Sequence, residues 1–415
     1  MTFWSAEQVK AAVSGAWLAR GVPESAGQPL AGVSTDSRAV RPGELFVALR
    51  GEKFDGHAFL GAAAQAGAAM VIIDRPEACT PAPDALPAGV AVLRVEDTGR
   101  ALLQLAAAYR RWLEPGTKVV AIGGSNGKTT TVRLTHAALA GTLRGVASEK
   151  SFNNAVGVPL TILRARRGDQ FLVCEVGTNA PGEMAALGRV VQPDVAVVTS
   201  IGREHLEGLG DLRGVAAEEA SLLASLKPGG TAILNGDAPL LLEVARSVLA
   251  TLPAPGAQVV TFGEGERCDL RLTRVESDLR GVRFELNGRR TVSLGLLGAH
   301  NAHNGAAALA VARRLGVPDD AAATALAHAQ GAPMRMQRSV VAVPGGGVTV
   351  INDAYNANPD SMLAALRAFA DLTRPESGPD VRRRVLVLGD MLELGAAAPA
   401  FTPQRRLRGG KPRAL

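Results

Sequence analysis

The chain has 415 residues, 47% of them hydrophobic and 20% charged, which excludes disorder for its bulk and leaves room for two to four domains. Its 45 Lys and Arg against 39 Asp and Glu give a net charge of +6. Five of those cations (Arg405, Arg406, Arg408, Lys411 and Arg413) sit in a stretch without acids, and without them 40 face 39. The body is nearly neutral, so no nucleic-acid partner is expected, and 4% aromatics offer few platforms for stacking bases. Three dispersed cysteines (Cys79, Cys174, Cys268) make neither a disulfide framework nor a zinc site, and a reduced, cytoplasmic setting is expected. No apolar run reaches the ~18 residues of a membrane span, and the N-terminus lacks the pattern of a signal peptide.

Three blocks follow in chain order. Residues 1–112 open with a helix-like segment, continue through turn-rich VSTDSRAVRPGELFVALRG, and end on ALLQLAAAYRRWL, whose apolar spacing predicts a helix. Glu114-Pro115-Gly116 punctuates the boundary. Residues 113–330 alternate short apolar strands with helix-length segments. The strands are KVVAIGG (118–124), FLVCEVG (171–177), VAVVTSIG (195–202) and TAILNGD (231–237). Continuous Val/Ile runs of this kind predict a parallel sheet covered on both faces, hence an α/β fold. Residues 256–297 read as a β-rich annex, followed by a helix through AHNAHNGAAALAVARRLG. Residues 331–395 begin a second, incomplete α/β unit: VVAVPGG, VTVINDAY, a helix over 360–372, and a strand VLVLGD (385–390). Residues 396–415 have no amphipathic period and read as a basic, disordered tail.

The strongest chemical motif is Gly123-Gly124-Ser125-Asn126-Gly127-Lys128-Thr129-Thr130, placed between a strand and a helix. Glycines let backbone N–H groups close around phosphate oxygens, and the helix N-terminus adds positive potential. Lys128 suits the β- and γ-phosphates of a nucleotide, and the Thr129 hydroxyl suits Mg²⁺. The longer form of this loop has a glycine where Ile122 stands, so the match is to a shorter variant.

This loop resembles that of the Mur ligases, ATP-dependent amide-bond synthetases of peptidoglycan precursor assembly. The same resemblance runs through Ser151-Phe152-Asn153-Asn154, Glu175-Val176-Gly177-Thr178-Asn179, His205-Leu206-Glu207-Gly208 and His300-Asn301-Ala302-His303-Asn304. It continues through Asp353-Ala354-Tyr355-Asn356-Ala357-Asn358-Pro359 and Leu388-Gly389-Asp390-Met391-Leu392-Glu393-Leu394-Gly395. It implies three domains: an N-terminal one for a UDP-sugar, a central P-loop ATPase, and a C-terminal Rossmann-like one. It also implies the family member that adds D-alanyl-D-alanine to UDP-N-acetylmuramoyl-tripeptide through an acyl phosphate, with ATP and Mg²⁺ and as a monomer. The alternatives are a sister ligase adding a single amino acid and, because the last unit gives way to Pro/Arg/Gly sequence, a catalytically impaired nucleotide-binding protein. A motor-type ATPase would need Asp237 as its Walker-B acid.

By this resemblance Glu175 and His205, at strand ends, join Thr129 as Mg²⁺ ligands. Many family members carry a carbamylated lysine fourteen residues after this His. Here Glu219 stands there, an anion that keeps the charge, or a solvated helix-face residue beside Glu218. Asn301 and Asn304, three apart on a helix, could donate to and accept from adenine, while Asn301 could equally cap the helix. Arg335 resembles a nucleotide-contacting arginine at the entry to the last domain. Ser34, Thr35, Ser37 and Arg38 resemble the uridine-diphosphate site, although STDSR alone also reads as a turn. Asn153 and Asn154 resemble substrate-contact residues, and Asp353, Tyr355, Asn356 and Asn358 the loop that shapes the dipeptide site.

Overall fold

The computed structural model describes residues 3–20, 28–254, 256–344, 346–372 and 384–395. The basic tail expected at 396–415 lies outside the described residues. In the first block, β1 (Ala16–Arg20), β2 (Val33–Ser34), β3 (Leu45–Val47), β4 (Met70–Ile73) and β5 (Ala91–Arg94) form one sheet in the order β1-β5-β4-β3-β2. Only β1 runs antiparallel. The expected helix at the block's end spans Thr98–Trp112. Asp97 starts it by accepting from the Arg100 N–H.

The second block is one nine-stranded sheet. Its parallel part holds β6 (Lys118–Gly123), β7 (Gly145–Ala147), β8 (Phe171–Glu175), β9 (Val195–Val198), β10 (Thr231–Asn235) and β11 (Gln258–Gly263). The four strands read from sequence are all present. β12 (Leu270–Asp278), β13 (Gly281–Leu286) and β14 (Arg290–Leu294) extend the same sheet antiparallel. The β-rich annex is therefore not separate: β12 pairs parallel with β11 at Phe262 and Gly263 before turning to β13.

Every residue from Val119 to Gly123 is buried, because helices cover both faces. Side chains alternate between two cores. Val119, Ala121, Leu172, Cys174, Ala196 and Val198 face one, with the helices Gly157–Arg164 and Glu183–Val191. Val120, Ile122, Phe171, Val173, Val195 and Val197 face the other, with the helices Lys128–Ala140 and Asn301–Arg314.

The first of these cores does not stop at the block boundary. It includes Phe3, Trp4, Leu45, Leu93 and Leu105 of the first block. Arg110, fully buried, donates to the Val191 and Gln192 carbonyls at 2.9 and 3.0 Å and pairs with Asp194 at 3.3 Å. Tyr109 donates to the Ala165 carbonyl at 2.9 Å.

The third block departs from expectation. β15 (Gln337–Val343) and β16 (Gly346–Asn352) pair as a hairpin, and the helix Pro359–Leu372 follows. The predicted strand VLVLGD does not form: residues 384–390 carry no ladder. A strand exists through a ladder to a neighbour, and residues 385–390 carry no strand assignment. Val385 and Val387 are 61% and 92% exposed. Every residue of β15 is exposed as well, so this block leaves apolar surface uncovered.

Candidate active site

The carboxyl ends of the central parallel strands open into a cavity of 830 Å³. This is where open α/β sheets place ligands. Residues from all three sequence blocks line it: Leu103, the loop Ser125–Lys128, Glu175, His205, Asn304 and the segment from Asp353 to Ser361 among them.

The phosphate loop is held from below. Gly124 and Gly127 take φ of +115° and +86°, values that glycine alone adopts freely. Gly124 N–H donates to Glu219 Oε2 at 2.6 Å, and Thr199 Oγ1 donates to the Asn126 carbonyl at 2.6 Å. Lys128 donates to the Gly124 and Ser125 carbonyls at 2.5 and 3.1 Å, and Glu204 Oε1 lies at 3.5 Å. Burial pulls the Lys128 pKa down, but the Glu204, Glu219 and Glu175 carboxylates outweigh it, and the net shift is upward. The ammonium stays charged. It lies against its own loop. Gly123 and Thr130 complete the loop, the former beside Glu219.

Glu219 is 1% exposed, which rejects the solvated helix-face reading. Its neighbour Glu218 is not solvated either, and accepts from Gly182 N–H and Met184 N–H at 2.8 Å each. Burial pushes the Glu219 carboxyl up to about 8, against the opposing pull of Lys128. The native state therefore keeps a proton that the unfolded chain releases near its ordinary value of 4.5. Across that window the ligand-free protein loses stability as pH rises. Glu219→Gln should remove this loss: its melting temperature should fall less than wild type between pH 5 and 8, by about 3 °C or more. Parallel melting curves would contradict the assignment.

Glu175 carries the other signature. Its Oε1 accepts from Asn153 Nδ2 at 3.1 Å, while its Oε2 is buried without a partner. Burial raises its pKa. An orphaned buried carboxylate oxygen facing a cavity suits a hard cation. The Thr129 hydroxyl lies 3.1 Å from Ser151 Oγ, and Thr129 itself does not line the cavity. His205 sits at φ +50°, a strained conformation for a non-glycine residue, and lines the same cavity. Carboxylate, hydroxyl and imidazole are donor types that a divalent cation accepts, although among the described residues no three His, Cys, Asp or Glu side chains cluster as a metal site.

Asn304 Nδ2 donates to Asn301 Oδ1 at 2.8 Å, and Asn304 Oδ1 accepts from Thr131 Oγ1 at 3.2 Å. Asn301 Nδ2 donates to the Leu297 carbonyl at 2.8 Å, and it does not cap the helix. Asn304 also backs onto Gly127, where a β-carbon would strike its Oδ1. Beside the pair, desolvation of the His300 ring drives its pKa down to about 4, so it is neutral at physiological pH.

The third block meets the loop directly. Asn358 Nδ2 donates to Asn126 Oδ1 at 2.9 Å, and Arg203 Nη1 pairs with Asp360 at 2.8 Å. Arg335 stacks over the Tyr355 ring, with its guanidinium 4.3 Å from the centroid. Asp353 Oδ1 accepts from Met336 N–H at 2.9 Å, which fixes the corner after β16, and Asn356 lines the cavity nearby.

Ser34, Thr35, Ser37 and Arg38, in the first block, stand apart from the cavity; around the phosphate loop Gly123, Gly124, Thr129 and Glu219 do not line it either. Ser34 Oγ and Asp36 form a local turn, and Arg38 pairs with Asp36 at 2.7 Å. Asn154 reaches the cavity, but its Oδ1 is engaged by the Val156 and Gly157 N–H groups. Sequence reading gave no role to Glu204 or Glu393. Glu204 was marked only by its place beside His205 at a strand end, and Glu393 only by its motif.

Comparison with known proteins bears on the chain as a whole. Residues 29–110 match "Mur ligase family, catalytic domain", 122–312 match "Mur ligase middle domain", and 334–405 match "Mur ligase, glutamate ligase domain". The chain is 39% identical over 371 residues to the UDP-N-acetylmuramoyl-tripeptide–D-alanyl-D-alanine ligase of Bacillus subtilis, covering 89% of this chain and 75% of that protein. The Escherichia coli protein of the same name is 34% identical over 372 residues, with 89% and 76% covered. A crystal structure of MurF from Acinetobacter baumannii superposes with a TM-score of 0.81 at 31% identity, covering 96% of this chain and 81% of that one. MurF from Thermotoga maritima in complex with ADP gives 0.73 at 27% identity, with 89% and 79% covered. With such identity over nine-tenths of its length, and with the three matches falling on its three blocks, the chain belongs to the Mur ligase family.

Proposed function

We propose that the protein is an ATP-dependent ligase that joins D-alanyl-D-alanine to UDP-N-acetylmuramoyl-tripeptide. The observation that carries this reading is the meeting of the phosphate loop, the unpartnered Glu175 oxygen and the Asp353–Asp360 loop in one cavity. The relatives' shared name supplies the substrates.

The chemistry has two steps. A carboxylate oxygen of the tripeptide attacks the γ-phosphorus of ATP; a C–O–P linkage forms and ADP leaves. The amine of the dipeptide then attacks the acyl carbon, phosphate departs, and the amine gives up a proton. All reactants of the first step are anionic, so the site must supply positive charge. The loop N–H groups from Gly124 to Thr130 receive the phosphates. Lys128 leaves the Gly124 and Ser125 carbonyls for the β- and γ-oxygens. Thr129, Glu175 and His205 would hold Mg²⁺, which neutralises phosphate charge and orients the γ-phosphoryl group. Glu219 fixes the Gly124 N–H and keeps a carboxyl group beneath the loop, taking the place that a carbamylated lysine holds in related enzymes.

Asn301, Asn304 and Arg335 serve the nucleotide end, Asn304 through its remaining amide N–H. Asn153 aligns Glu175, and Asn154 orders the loop beside it. Tyr355, Asn356 and Asn358 shape the dipeptide site, with Asp353 holding the corner. Ser34, Thr35, Ser37 and Arg38 receive the uridine diphosphate at a separate point on the first block. Among the described residues no helix is long and apolar enough to cross a membrane.

The deciding assay supplies ATP, Mg²⁺, the UDP-tripeptide and D-alanyl-D-alanine to the full chain. Phosphate release that requires both substrates is the expected result. Stimulation by a single amino acid instead would point to a sister ligase. ATP binding without substrate-dependent release would refute ligation.

A further inference from the structure

One contact joins the third block to an expected metal ligand and has no part in the reaction described above. His205 follows β9, and its Nε2 lies 3.9 Å from Glu204 Oε2, itself buried on the cavity wall. Its Nδ1 is bonded to Glu393 Oε2. Glu393 lies 188 residues further along the chain, in the segment after the unformed strand.

That segment is anchored independently of the Glu393 side chain. Glu207 N–H donates to the Glu393 carbonyl at 3.2 Å. Leu394 is 3% exposed, and a β-carbon on Gly395 would lie 3.1 Å from Glu207 Cα. Glu393 itself is 56% exposed at its side chain, so packing does not require it there.

An imidazole has two nitrogens, and the hydrogen bond made by one decides which proton the other carries. A carboxylate on Nδ1 holds the proton there and leaves the Nε2 lone pair free. The same arrangement orients and strengthens imidazole ligands in metal sites generally.

We propose that Glu393 is a positioning residue for His205: its carboxylate takes the Nδ1–H and turns the Nε2 lone pair into the cavity, making the imidazole a divalent-cation ligand while the third block is docked. The inference rests on His205 being a ligand, as argued above. It adds that a residue from another block prepares that ligand. Docking of the third block and cation binding are thereby coupled, and each must strengthen the other.

The test uses the full chain with Mn²⁺ as the probe, in the presence of ADP, read by electron paramagnetic resonance. Glu393→Ala should weaken Mn²⁺ binding by about 10-fold or more, while ADP binding without metal stays at the wild-type level. Glu393→Gln, whose amide oxygen can still accept from Nδ1–H, should recover part of the loss. Nitrogen NMR of labelled histidine should find the Nδ1–H tautomer of His205 in wild type and a mixture in Glu393→Ala, a change that mere loss of packing would not produce. His205→Ala separates the two claims. If it weakens Mn²⁺ binding while Glu393→Ala does not, the positioning role is overturned and the ligand role stands. If His205→Ala leaves Mn²⁺ binding intact, the ligand role itself fails, and the inference with it.

Discussion

Lys128→Ala should reduce substrate-dependent phosphate release by roughly 10²–10³-fold, with the fold intact by melting curve. Lys128 is the cation set among Glu175, Glu204 and Glu219, and its removal takes the positive charge from the loop that receives the triphosphate. The loss should therefore appear in nucleotide affinity as well as in turnover. Lys128→Arg tests whether charge alone suffices. Its planar, longer head cannot fold onto the Gly124 and Ser125 carbonyls as a compact ammonium does, so little activity should return. Activity near wild type in either variant, followed by phosphate release, would remove Lys128 from the mechanism.

Gly124→Ala should destabilise the protein by about 2–4 kcal/mol and abolish nucleotide binding. Its φ of +115° disfavours any β-carbon, and the added carbon would clash with Thr199 Oγ1 and lie 2.7 and 2.9 Å from the Thr199 and Ser200 nitrogens. Those atoms belong to a rigid strand end and cannot retreat. Gly182→Ala is the control. Gly182 also has positive φ, +86°, but nothing stands within 4 Å of the added carbon, so only the backbone term of about 1 kcal/mol remains. Calorimetry of the two variants separates clash from strain. Equal losses would show that the packing against Thr199 is not what fixes the loop.

The central sheet was legible because its strands are continuous Val/Ile runs, the pattern of a strand buried on both faces. The phosphate loop was legible because its glycines and lysine fall at fixed spacing between strand and helix. VLVLGD has the same composition as the central strands and yet forms no strand. Periodicity reports what a segment would bury, not whether a neighbour is there to pair with it. The contribution of Glu219 was half legible. Its position after His205 marked it, but only the fold could place it against the Gly124 N–H rather than in solvent. Asn301 and Asn304 illustrate another limit. Two amides on one helix face suit a ligand, and they suit each other equally well. Glu393 reaches His205 across 188 residues, and no local pattern encodes such a contact.

The single core that runs from Phe3 to Ala245, with Arg110 buried across the block boundary, has a mechanical consequence. The first and second blocks cannot swing apart without exposing that core and stranding a guanidinium. They must move as one body. The third block has a different attachment. Among the described residues it touches the phosphate loop and its surroundings through the polar pairs Asn126–Asn358, Arg203–Asp360 and His205–Glu393 and an apolar patch at Leu297, Met336, Ala368 and Leu372. Polar pairs exchange more readily with water than a buried core does. The chain that leads into the third block contains Met334 and Met336, both at positive φ, next to the contact of Arg335 with Tyr355. Any opening of the third block against the other two would therefore bend the chain near residues 334–336, beside the nucleotide end of the cavity.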